Sequence, residues 1–233
     1  MSRPLLLGHR GARKYAPENT IAAFEMALEH GCDGFEFDVR LTADGQAVVC
    51  HDPKFCGMSI AESNHQKLTD VGKKRGREIA TLEDALRLGR RAFLNIELKV
   101  VGTEELMIAF LEKRRPNKGV IVSSFLPKVI SRMAELGAEV PLALICENRR
   151  QLAKWKGLPV QALMLKRTLV NRKLIEQIRT TPLEPTKGLN SVPSSTQIFV
   201  WTVNSAREMR KFAKMEVDGI LSDDTKLLVK TLE

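Results

Sequence analysis

Apolar positions along this chain follow two rhythms in turn. Short runs rich in Val, Ile, Leu and Phe are each followed by a stretch of roughly a dozen residues in which apolar positions return every third or fourth place. The runs predict strands over Pro4 to His9, Gly34 to Val39, Ala92 to Leu98, Gly119 to Ser124, Pro141 to Cys146, Gln161 to Leu165, Gln197 to Val203 and Gly219 to Ser222. The stretches between them predict helices over Thr20 to Glu29, Leu82 to Leu88, Glu104 to Lys113, Lys128 to Leu136, Arg149 to Trp155, Asn171 to Arg179, Ala206 to Lys214 and Lys226 to Leu232. Eight such repeats in 233 residues suit one α/β domain, 1–233, closed as a (β/α)₈ TIM barrel. An open doubly wound sheet is the other arrangement this alternation allows, but no G-x-G-x-x-G turn follows the first strand.

Two stretches break the rhythm. Thr42-Ala43-Asp44-Gly45 is a turn signal between two β-rich runs, so Gln46 to Cys50 is expected to return against the second strand as a hairpin and to carry His51 back towards Asp38. From Asp52 to Ala80 the chain is polar and weakly periodic, which predicts a loop excursion over the barrel mouth that influences substrate choice. Thr180 to Thr196, with three prolines and a serine pair, reads as a second long loop.

Composition narrows the class. With 43% apolar and 28% charged residues, the chain is an ordinary globular one. The four cysteines form no C-x-x-C pair, so neither a zinc site nor a disulfide framework is indicated and reduced thiols are expected. The only apolar run before Gly8 is Leu5-Leu6-Leu7, far short of a signal-peptide core, and no segment approaches a membrane span; a cytoplasmic location is the expectation. A net charge of +9 favours anionic partners at long range, but the basic clusters are short and aromatics make up only 5%. A small anionic substrate fits better than nucleic acid.

The candidate chemistry lies at strand ends, because the C-terminal ends of barrel strands form the mouth. In Glu36-Phe37-Asp38 the two carboxylates share one strand face while the flanking Phe35, Phe37 and Val39 share the other. Alone, that pattern is more often the polar outer face of an exposed edge strand. Glu97 at the end of the third strand adds a third carboxylate, and the usual compensation for three together is a hard divalent cation with oxygen ligands, Mg²⁺ or Ca²⁺. Arg10 and Lys99 bring fixed positive charge suited to a phosphoryl group. His9 and His51 suit proton donor and acceptor roles near neutral pH. Trp201 reads either as core or as a flat apolar wall for substrate carbons.

Together these motifs have a family resemblance. Gly8-His9-Arg10-Gly11, Ala16-Pro17-Glu18-Asn19-Thr20, Glu36-Phe37-Asp38-Val39, His51-Asp52, Glu97-Leu98-Lys99, Trp201-Thr202-Val203-Asn204 and Asp218-Gly219-Ile220-Leu221-Ser222-Asp223 are similar to those of the glycerophosphodiester phosphodiesterases. The resemblance implies a (β/α)₈ barrel that splits a glycerophosphodiester into sn-glycerol 3-phosphate and an alcohol, through attack by the substrate's own 2-hydroxyl and a cyclic phosphate. It implies metal ligation by Glu36, Asp38 and Glu97, acid and base roles for His9 and His51, and phosphate contacts from Arg10 and Lys99. Pro17 to Thr20 reads physically as a helix start capped by Asn19 or Thr20. Two segments depart from the family's pattern: Pro53 to Met58 lacks its Thr- and Gly-rich run, and Thr225 replaces the proline that usually follows the final Asp pair. Related barrels act on lysophospholipids, and a barrel that binds phosphate without turnover is a further alternative.

Overall fold

The computed structural model describes residues 3–183 and 194–233. Eight parallel strands close a ring: β1 (Leu5–Gly8), β2 (Gly34–Leu41), β6 (Phe93–Leu98), β7 (Val120–Ser124), β8 (Leu142–Cys146), β9 (Ala162–Lys166), β10 (Gln197–Trp201) and β11 (Gly219–Ser222). β1 pairs with both β11 and β2, which completes the (β/α)₈ barrel. The outer ring includes α1 (Ile21–Glu29), α3 (Leu82–Arg87), α4 (Glu104–Lys113), α5 (Pro127–Glu135), α6 (Arg149–Leu152), α7 (Arg172–Thr180), α8 (Ala206–Ala213) and α9 (Thr225–Leu232).

Strand alternation sorts the side chains into two cores. Leu6, Phe35, Phe37, Leu94, Ile96, Val122 and their equivalents face outwards under the helices, where the Phe24 ring of α1 stacks on Phe35 with centroids 4.3 Å apart. Leu7, Ile121, Ala143, Ile145, Met164, Phe199 and Leu221 face inwards and fill the barrel. A side chain at Gly219 would not fit this filling, since a Cβ there would stand 2.3 Å from the Phe199 ring. Above the inner layer, the same alternation points Glu36, Asp38 and Glu97 into the ring.

The expected hairpin is present. β3 (Ala47–Val49) pairs antiparallel with the end of β2, Val39 opposite Val49 and Leu41 opposite Ala47, around Gly45 at φ 76°. The stretch after His51 differs from the irregular excursion expected. It holds a small hairpin, β4 (Lys54–Phe55) with β5 (Met58–Ser59), and helix α2 (His65–Lys74), capped by Asn64. Phe55, Ile60, Leu68 and Ile79 pack there on Val48 in a separate apolar cluster. α2 presents few apolar positions because it covers only this small cluster, so its helical period is faint. Most of the loop expected at Thr180 to Thr196 lies outside the described residues.

Candidate active site

The β1–α1 loop supports one side of the site through two residues in left-handed backbone conformations, Arg10 at φ 56° and Asn19 at φ 59°. Each conformation costs on the order of 1 kcal/mol, and each is held by a carboxylate. The Arg10 backbone N–H donates to Glu36 Oε2 at 2.9 Å, and the Asn19 amide donates to Asp38 Oδ2 at 2.8 Å while its carbonyl accepts from the Asp38 N–H. Thr20, not Asn19, is the side-chain cap of α1. The Asn19 link was hidden in the sequence because its motif already had a sufficient local explanation as a helix start.

Glu36, Asp38 and Glu97 are buried, and ligand oxygens from all three lie within 4.8 Å of one another. At that spacing two ionised carboxylates repel by about 3–4 kcal/mol at an effective dielectric constant of ~20. Burial, then Asp38 and Glu97, push the Glu36 carboxyl well above its ordinary range, and burial with Asp38 pushes Glu97 up to about 7. Burial also opposes the charge on Asp38, but Lys99, Arg10 and Asn19 outweigh it and hold its carboxyl low. Lys99 Nζ stands 2.6 Å from Glu97 Oε1 and 3.2 Å from Asp38 Oδ1. These contacts are set by charge, since neither buried oxygen accepts a directed hydrogen bond. Two buried oxygens with spare lone pairs, beside a third carboxylate, form a donor set that fits a hard divalent cation.

Both histidines are braced through Nδ1. His9 meets Asp223 Oδ1 at 2.7 Å, and Asn204 donates to the other oxygen of Asp223 at the same distance. Burial opposes ionisation of Asp223, but the bonds from His9 and Asn204, with Arg13 nearby, keep its carboxyl low. Nδ1 of His9 therefore carries the proton, and Nε2, 4.0 Å from Glu36 Oε2, faces the acidic cluster. His51 Nδ1 meets Asp52 Oδ1 at 2.8 Å. The His51 backbone is anchored by its carbonyl, which accepts two bonds from the Arg40 guanidinium. Burial lowers the proton affinity of the His51 ring, with Lys99 and Arg10 acting in the same direction against Asp38 and Asp52.

His9, Arg10, Glu36, His51, Glu97, Lys99 and Trp201 all line one cavity of about 290 Å³ at the C-terminal ends of the strands. Asp38 lies beneath it, in contact with Lys99 and 3.4 Å from Arg10 Nε. The opposite wall contains Phe125, Ile145, Met164 and Leu221 beside Trp201. The Trp201 indole N–H donates to the Met164 carbonyl, and the residue lines the cavity. Phe125 and Glu147 also line the cavity and were not singled out in the sequence. None of residues 52–80 lines this cavity. A larger cleft of about 780 Å³ opens at the other end of the barrel, lined by Arg87, Arg90, Lys113, Arg114 and Arg115, and it holds no carboxylate or imidazole.

A barrel mouth that brings fixed cations, imidazoles and a buried acidic cluster into one cavity suits the hydrolysis of phosphoric esters. The model of the glycerophosphoryl diester phosphodiesterase family matches residues 9–227, and the chain belongs to that family: it is a phosphoric diester hydrolase. A glycerophosphodiester phosphodiesterase of Caldanaerobacter subterraneus subsp. tengcongensis is 30% identical, with 97% of each chain covered. The crystal structure of a glycerophosphodiester phosphodiesterase from Thermotoga maritima matches with a TM-score of 0.79 at 25% identity, covering 99% of both chains. An Oleispira antarctica phosphodiesterase, solved in complex with the product sn-glycerol-3-phosphate, has the same fold, with a TM-score of 0.80 at 22% identity over 98% of this chain and 96% of that one. Among the described residues no helix is long and apolar enough to cross a membrane.

Proposed function

We propose that the protein hydrolyses glycerophosphodiesters such as glycerophosphocholine and glycerophosphoethanolamine to sn-glycerol 3-phosphate and an alcohol, aided by one Mg²⁺ or Ca²⁺ ion. The observation that carries this reading is the convergence of the buried carboxylates, two braced imidazoles, Arg10 and Lys99 on one cavity. Glu36, Asp38 and Glu97 would hold the cation, which when bound would draw charge from the phosphoryl oxygens as a Lewis acid. Arg10 and Lys99 hold the phosphoryl group by charge, and Trp201 walls the substrate carbons.

His51, whose proton affinity is depressed, takes the proton of the glycerol 2-hydroxyl as its oxygen bonds to phosphorus. His9, acting as the imidazolium with Nδ1–H held by Asp223, gives its Nε2 proton to the departing alcohol oxygen as that P–O bond breaks. In the second half the roles reverse: His9 takes a proton from water, and His51 returns one to the 2-oxygen as the cyclic phosphate opens.

The test is release of sn-glycerol 3-phosphate from glycerophosphocholine, abolished by EDTA and restored by Mg²⁺ or Ca²⁺. Release that persists undiminished in EDTA removes the cation from the reading. A single-chain lipid substrate has one observation in its favour, the exposed side chains of Val101 and Leu126 in the loops after β6 and β7. The same assay with lysophosphatidylcholine decides it. A barrel that binds without turnover would have no use for the braced imidazoles retained here.

A second expected result concerns stability. A carboxyl whose proton is held more tightly in the folded than in the unfolded state stabilises fully below the unfolded value, and this contribution fades as pH rises through the folded one. For Glu97 that window runs from its ordinary 4.5 to about 7 and amounts to about 3 kcal/mol. The metal-free protein is therefore expected to lose stability from pH ~5 to ~7, and added divalent cation to raise the thermal midpoint by an amount that grows over the same window. A cation effect equal at pH 5 and pH 8 would place the ion elsewhere.

A further inference from the structure

The cavity has two unlike halves. β1, β2 and β6, with the β3 return, supply the charged half, and β7 to β11 supply the apolar half of Phe125, Ile145, Met164, Trp201 and Leu221. Within that second half stands one carboxylate, Glu147, the residue immediately after β8. It is the only carboxylate lining the cavity outside the acidic cluster, among the described residues. Its ion-pair partner is Lys166 at the end of β9, with Nζ 2.7 Å from Glu147 Oε1. Lys166 itself does not line the cavity. The substrate space therefore borders Glu147 and not its counter-ion.

We infer that Glu147 is the specificity-determining residue for the departing alcohol and selects one that carries an ammonium or trimethylammonium group. The inference rests on the glycerophosphodiesterase reading above. With phosphorus held at the charged half, the leaving group extends into the other half, where the walls are apolar and two aromatic rings, Phe125 and Trp201, pack edge to face with centroids 5.9 Å apart. A compact organic cation suits such walls better than a polyol does. It is less strongly hydrated than a small inorganic ion, it gains from aromatic rings, and one carboxylate completes its charge balance. A polyol would leave hydroxyls facing Ile145, Met164 and Leu221 without partners.

Lys166 is then an internal competitor. The Glu147 and Lys166 side chains are 50% and 39% exposed, and an ion pair open to water to that degree is weak. A substrate ammonium displaces the Lys166 head into solvent without unfolding anything. The two side chains thus have opposite expected effects on one ratio, which a purely structural role for the pair does not produce.

The ratio is kcat/KM for glycerophosphocholine over kcat/KM for a glycerophosphodiester whose alcohol is glycerol, measured with the cation-loaded full chain. Glu147→Gln is expected to lower it about tenfold. Lys166→Met, which frees the carboxylate, is expected to raise it about threefold, by the smaller worth of an exposed pair. Thermal midpoints close to the parent's are expected for both variants, given their exposure. If the ratio stays within twofold of the parent's in both variants, or moves the same way in both, Glu147 does not read the alcohol. If the parent releases sn-glycerol 3-phosphate from neither substrate, it is the glycerophosphodiesterase reading that fails instead.

Discussion

Replacing Glu36 with alanine is expected to lower kcat/KM on glycerophosphocholine by at least ~10³-fold, the several kcal/mol that a Lewis-acid cation contributes to a phosphoryl transition state. The barrel should remain folded. Glu36 belongs to a strand whose outward residues, Phe35 and Phe37, are buried under α1, and the substitution leaves them in place. What it removes is a buried carboxylate pushed well above its ordinary range by burial, Asp38 and Glu97, together with the hydrogen bond that its Oε2 accepts from the Arg10 backbone. Loss of like-charge repulsion offsets loss of that bond, so in EDTA the thermal midpoint is expected to match or exceed that of the parent. Calorimetric titration with Mg²⁺ or Ca²⁺ should show binding to the parent and none to the variant. Near-parental activity of the variant would show that the acidic cluster is structural.

His9→Ala and His51→Ala are each expected to slow the reaction by on the order of 10²- to 10⁴-fold, and the leaving group distinguishes them. An in-line displacement at phosphorus needs a proton removed on one side and another supplied on the opposite side. A nitrophenyl ester of glycerol phosphate departs without a proton, so it should rescue His9→Ala and leave His51→Ala slow. Rescue of both variants, or of neither, overturns the division of roles. In the parent, the acidic limb of the pH profile is expected to follow deprotonation of His51. Burial depresses its proton affinity, so that limb should lie below the ordinary imidazole value of 6.5.

The strand periodicity made the barrel readable, because each strand carries its own burial pattern and needs no distant partner to reveal it. The same alternation exposed the acidic cluster: Phe35, Phe37 and Val39 could only be core if Glu36 and Asp38 faced the other way. The return of His51 was also legible, since a turn signal sets the register of a hairpin locally. Four features were not. α2 covers a cluster too small to impose a strong period. Asn19 lies in a motif already explained as a cap, so its clamp on Asp38 had no separate signal. Phe125 and Glu147 follow their strands without any motif, and only closure of the ring brings them opposite the histidines. The bond between His9 and Asp223 joins residues 214 apart, a separation at which no spacing rule operates.

That last bond also bears on when the enzyme first becomes competent. Its two partners sit on β1 and at the end of β11, the first and last strands, which lie side by side. During synthesis His9 is made 214 residues before the group that orients it. A nascent or truncated chain ending before β11 would carry the acidic cluster, both imidazoles, Arg10 and Lys99, yet His9 would lack its brace. In refolding, recovery of activity should therefore lag formation of the β2–β6 pairing and coincide with the docking of β11 on β1, so that turnover reports on ring closure itself.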